Sequence, residues 1–121
     1  MTTKKRQLLA LLLMLLLVVG AFAQSKSELE DIAYDHLSNF EYAKAYDAFE
    51  KLNTRYPKEM DYQFKLGVCA LSVPEKREKA IEIFQAVNQK IKTKESQFYL
   101  AKAYHSNYKF DEALATLQPM S

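Results

Sequence analysis

Cysteine occurs once in the chain, at Cys69. A single thiol closes no disulfide within a chain, so the fold rests on its apolar core alone. Cys69 sits between Val68 and Ala70 with no positive group adjacent, so it reads as a small buried hydrophobe and not as a reactive thiol. Glycine occurs twice, at Gly20 and Gly67, which excludes a glycine-rich loop that cradles phosphate. There is no β-rich run, no linker and no low-complexity segment. The two histidines, His36 and His105, lie far apart and match no metal-ligand spacing. No serine or cysteine stands in a nucleophile motif. Glu28, Glu30, Asp31 and Asp35 cluster, but acidic residues near a helix start read as a solvated face. These absences predict a chain that is not an enzyme and takes no cofactor or metal.

What is present begins with a leader. Lys4, Lys5 and Arg6 precede an unbroken apolar run from Leu8 to Val19, then Gly20 and Ala21-Phe22-Ala23. A charged start, a short apolar core and small residues at the cleavage positions predict a signal peptide over 1–23, cut before Gln24. The rival is an uncleaved anchor, but the stretch from 8 to 23 falls short of the ~20 residues a spanning helix needs. Gln24 also offers no thiol for a lipid anchor. The expected location is therefore outside the cytoplasm, with membrane contact only through the signal before cleavage. The leader holds three of the 17 basic residues and none of the 15 acidic ones, so the remainder is near neutral. Charges of both signs alternate along it, which predicts solvated helix faces and no nucleic-acid surface.

The remaining residues, 24–121, are enough for one small domain, and they repeat. Small residues at Ala33, Gly67 and Ala101 each follow a Leu or Ile, namely Ile32, Leu66 and Leu100. A second alanine follows at Ala45, Ala80 and Ala113, and four residues later a bulky apolar one at Phe49, Phe84 and Leu117. The period is close to the ~34 residues of a helix–turn–helix repeat. Two antiparallel helices approach closely only where one presents a small residue, and a bulky neighbour then fills the space beside it. Ala33 and Ala45 give that clearance, Phe49 and Leu52 fill it, and Pro57 stops the second helix near Tyr56. The pattern predicts six helices, near 26–38, 41–56, 60–72, 75–90, 94–106 and 109–118.

Ile32, Ala33, Tyr42, Ala45, Phe49, Leu52 and Pro57 together resemble the tetratricopeptide repeat. The resemblance covers the chain from about residue 26, as repeats near 26–58, 60–92 and 94–121. The second repeat departs from the pattern, with an extra residue in SVPEKREK, Arg77 where an aromatic is usual, and no closing proline. The resemblance implies an all-α fold, a solenoid of three helix–turn–helix repeats after the signal peptide. It also implies a concave groove lined by the first helix of each pair, which binds a protein or peptide. The groove positions it implies are Glu30, Tyr34 and Leu37, then Phe64, Val68 and Leu71, then Phe98, Lys102 and His105.

The last helix leaves Phe110, Leu114 and Leu117 without an expected partner. A stretch such as NFEYAKAYDAFEKL after a leader also resembles the head region of OmpA-like envelope proteins of Gram-negative bacteria. That implies a periplasmic or outer-membrane location and association with outer-membrane or cell-wall complexes. The peptidoglycan-binding domain of those proteins lies outside these residues, so cell-wall binding itself is not implied. Two expectations result: an exported interaction scaffold, or a docking module cut from a larger envelope protein.

Overall fold

The computed structural model describes the backbone of residues 3–118 and the side chains of 3–16 and 26–118. The side chains of Ala21, Phe22 and Ala23 at the expected cleavage site lie outside the described residues, as do the last three residues of the third repeat. The fold is all-α, with no strand among the described residues. The helices are α1 (Thr3–Ser38), α2 (Tyr42–Arg55), α3 (Met60–Leu71), α4 (Arg77–Lys90), α5 (Lys94–Ser106) and α6 (Phe110–Leu117). A short 3-10 turn, Pro74–Lys76, leads into α4. Each helix packs on the next in chain order, and α3 also meets α5.

Five of the six expected helices begin and end within a residue or two of their predicted bounds. The first does not: the helix expected near 26–38 starts at Thr3 and runs unbroken through the residues expected to form a leader. The residues between are mostly strong helix formers, with no proline to stop them. Leu8 to Leu16 are exposed around the helix, with no element packed on them. No described helix is long and apolar enough to cross a membrane.

The small residues do what their spacing predicts. Ala33, Ala45, Gly67, Ala80, Ala101 and Ala113 are all buried. Phe49, Phe84 and Leu52 are fully buried beside them. The crossing of α3 with α4 is close: a Cβ built on Gly67 would stand 2.6 Å from Cζ of Phe84. Ile32 differs from its counterparts Leu66 and Leu100: they are buried and it is half exposed. The reason is position: among the described residues no earlier helix meets α1 as α2 meets α3 and α4 meets α5.

The helix ends obey local chemistry. Tyr56, followed by Pro57, closes α2. Thr93 and Ser96 form a reciprocal capping box at the start of α5, with N–H to hydroxyl distances of 3.0 and 2.8 Å, and Ser96 also donates to Asn88 Oδ1 at 2.7 Å. Helices α1 and α5 end alike. The N–H of Glu41 donates to the carbonyl of His36 and that of Phe40 to Leu37, while Lys109 donates to Tyr104 and Tyr108 to His105. This is the Schellman pattern, whose C′ residue adopts the left-handed conformation and is usually glycine. Here it is Phe40 (φ 60°) and Tyr108 (φ 61°), both more than 70% exposed. Replacing either by glycine removes the Cβ strain without removing a buried contact. Phe40→Gly and Tyr108→Gly are each expected to raise stability by up to about 1 kcal/mol, the glycine's extra unfolded-state entropy limiting the gain. Urea midpoints below wild type would contradict the strain assignment.

Candidate functional site

The nine residues expected in one groove divide into two groups. Tyr34, Leu37, Phe64, Val68 and Leu71 are half-buried and packed against the core. The Tyr34 ring meets Phe49 edge-on at 5.1 Å, and its hydroxyl donates to Asp61. Phe64 lies edge-on to Phe84 at 5.6 Å and to Tyr99 at 5.0 Å. Glu30 accepts a hydrogen bond from the hydroxyl of the buried Tyr62. These side chains join α1 to α2 and α3, and α3 to α4 and α5, so most of their surface is spent on the fold.

Phe98, Lys102 and His105 form the second group. Their spacing sets them on one face of α5, and all three are exposed. With Ala101 of the same helix and Ala113 and Leu117 of α6 they line an open pocket of about 240 Å³. Phe98 is 51% exposed and Leu117 38%. The His105 ring sits against Phe110 at 5.1 Å, and the Lys102 ammonium lies 5.9 Å from the Tyr99 ring centre. Phe110 and Leu114 extend the apolar surface outward along α6. The pocket thus offers an apolar seat beside one cation and one imidazole. That chemistry suits an apolar side chain with a carboxylate near it.

A second pocket, of about 360 Å³, lies between α3, the end of α4 and the start of α5. Two of its polar groups are engaged within the fold: Ser96 in the capping box and Asp61 with Tyr34. Among the described residues no three His, Cys, Asp or Glu side chains gather as metal ligands. The imidazole of His36 pairs with Glu41 at 3.3 Å. Cys69 is buried, and burial pushes its thiol up to about 11, so it stays protonated at neutral pH.

Reasoning from sequence missed the tyrosine–carboxylate pairs Tyr34–Asp61 and Tyr62–Glu30, and it did not foresee Tyr99 reaching back to α3 and α4. The repeat pattern gives Ala101, Ala113 and Leu117 as packing residues, and they also line the pocket. The recurrence of the small residues marks the crossings, but whether a crossing stays open depends on the helix stacked against it.

The tyrosine pairs give a pH dependence. Burial, then hydrogen bonding to Glu30, raises Tyr62 above its ordinary 10.0, and burial with Asp61 does the same for Tyr34. A group raised in the folded state contributes its full stability below its unfolded pKa, and loses it as pH rises past that value. Stability is therefore expected to hold to about pH 9 and to fall above about pH 10, where the unfolded tyrosines ionise first. Urea midpoints at pH 8, 10 and 11 read this. Tyr62→Phe should flatten the alkaline fall, and an unchanged slope would remove Tyr62 as its source.

No family model, curated protein or solved structure matches this chain.

Proposed function

We propose that the chain is an exported protein-interaction scaffold. In this reading it is a tetratricopeptide-like solenoid of three repeats that holds a protein or peptide partner on the exposed face of its first helices, chiefly α5. One observation carries the proposal: Phe98, Lys102 and His105, which the tetratricopeptide resemblance implies as groove positions, stand around one apolar pocket. Exposed apolar clusters with a polar rim mark contact sites. The buried small residues at repeat spacing support the solenoid. The basic start and apolar run support the signal peptide, and the resemblance of NFEYAKAYDAFEKL to the head region of OmpA-like envelope proteins supports a periplasmic or outer-membrane place.

The test has two parts. N-terminal sequencing of the protein recovered from the cell envelope should begin at Gln24, and an intact leader would oppose export with cleavage. A partner recovered by in-cell crosslinking should be lost with Phe98→Ala while helicity is unchanged. Equal recovery with wild type and Phe98→Ala would remove the α5 surface from the function. A second reading is favoured by Phe110, Leu114 and Leu117, which stand exposed on the last helix. It makes the chain the docking module of a larger OmpA-like envelope protein, and it expects self-association that ceases when further residues are supplied.

A further inference from the structure

The terminal pocket has a filled counterpart one repeat earlier. Phe98, Ala101, Lys102 and His105 stand 34 residues after Phe64, Gly67, Val68 and Leu71, and Ala113 and Leu117 stand 33 after Ala80 and Phe84. All six lining residues therefore repeat positions of the surface that α3 and α4 present to α5. There, Tyr99 of α5 fills the site: its ring stacks on Phe84 at 5.4 Å, 23° between planes, and meets Phe64 edge-on at 5.0 Å. In the first repeat Tyr34 covers Phe49 from its own helix pair. In the third repeat the residue in Tyr34's place is Lys102, no later helix is described, and the pocket is open.

We infer that this pocket is a docking slot for an amphipathic α-helix of another polypeptide. The helix lies on α5 and α6 as α5 lies on α3 and α4, and inserts an aromatic ring where Tyr99 inserts its own. Continuity with the interface already formed inside the chain supports this occupant. Two substitutions within the repeat set the chemistry of the incoming helix. Val68 and Leu71 are replaced by Lys102 and His105, so the flank that meets them carries carboxylates. A second copy of this chain offers no matching ring from α1 or α3. The residues in Tyr99's place on α1 and α3 are Asp31 and Lys65, and either would bring a charge into the apolar seat. This inference rests on the reading of the chain as a protein-binding module and specifies the partner.

The test uses isotope-labelled full-length chain and three blocked 16-residue alanine-rich helical peptides. One carries a central tyrosine with glutamates three residues before and four after it, on the same helix face. Another has alanine in place of the tyrosine, and the third has lysines in place of the glutamates. Titration is followed by NMR amide shifts. The tyrosine–glutamate peptide is expected to shift Phe98, Lys102, His105 and Leu117, and to bind at least about tenfold more tightly than the alanine peptide. Lys102→Glu should invert the preference between the glutamate and lysine peptides, an effect that mere loss of folding does not produce. Phe98→Ala should abolish binding with the circular dichroism unchanged. Equal weak binding of all three peptides overturns the inference. Shifts confined to Tyr34, Leu37, Val68 and Leu71 overturn it too, while leaving groove binding in place. A dimer dispersed by Phe98→Ala makes a second copy the occupant and also overturns it. No shift anywhere removes this inference, and the crosslinking experiment decides the broader reading separately.

Discussion

Phe84→Ala is expected to lower unfolding stability by about 3–5 kcal/mol, a large fraction of what a small domain has. Phe84 is fully buried in the middle helix pair. Its ring faces Gly67 on one helix, Phe64 on the same helix, and Tyr99 on the next. Truncation forfeits the transfer energy of the ring and leaves a hole that the α3–α4 crossing cannot close without moving α5. Domains of this size are stable by about 5–15 kcal/mol in total, so the variant would sit near its unfolding midpoint in mild urea. Because α5 leans on the same ring, the loss should extend into the third repeat. Amide exchange in α5 should speed up together with that in α4. A loss below about 1 kcal/mol, or exchange changes confined to α4, would mean that Phe84 is not the central plug of the stack.

Gly67→Ala comes next, and two effects of opposite sign compete in it. Alanine in a helix interior gains about 1 kcal/mol over glycine from propensity alone. Against this, the new methyl would meet three carbons of the Phe84 ring at 2.6, 2.8 and 2.9 Å. The ring is enclosed and cannot swing aside, so overpacking costs about 1–3 kcal/mol. The packing cost should win, for a net loss of up to about 2 kcal/mol. The other repeats show how the conflict is relieved. The third pairs Ala101 with Leu117, and the first pairs Ala33 with Phe49, so an alanine is tolerated once the facing residue or the approach of the helices is adjusted. In a Phe84→Leu background Gly67→Ala should therefore be neutral or stabilising. The resulting cycle should show a coupling of about 1 kcal/mol or more. Stabilisation by Gly67→Ala in the wild-type background would show that propensity alone governs the position.

Much of the fold was legible because its rules are local or periodic. Pro57 and the Ser-Asn pairs at 38–39 and 106–107 mark chain reversals by their own backbone chemistry. The recurrence of Ala33, Gly67 and Ala101, and of Ala45, Ala80 and Ala113, marks helix crossings because only small residues let backbones approach. The left-handed Phe40 and Tyr108 were not legible, since an aromatic side chain gives no sign that its backbone has taken the glycine conformation. The continuity of α1 through the leader was missed for a different reason. A change in composition near Gln24 suggests a boundary, but a helix ends only where its hydrogen-bonding ladder is interrupted, and nothing there interrupts it. The site was partly legible: the tetratricopeptide resemblance implied Phe98, Lys102 and His105, but it implied Tyr34, Phe64 and Val68 equally.

By itself the amino-acid order determined that the described chain is helical, where most of its helices start and stop, and which small residues meet at the crossings. Those properties come from spacing along one chain. Only the tertiary structure decided that six of the nine expected groove side chains are tied into the fold while three stand exposed around a pocket at the last helix pair. Burial at any repeat position depends on the helix stacked against it, and Tyr99 covers the second pair with a ring while no described helix covers the third.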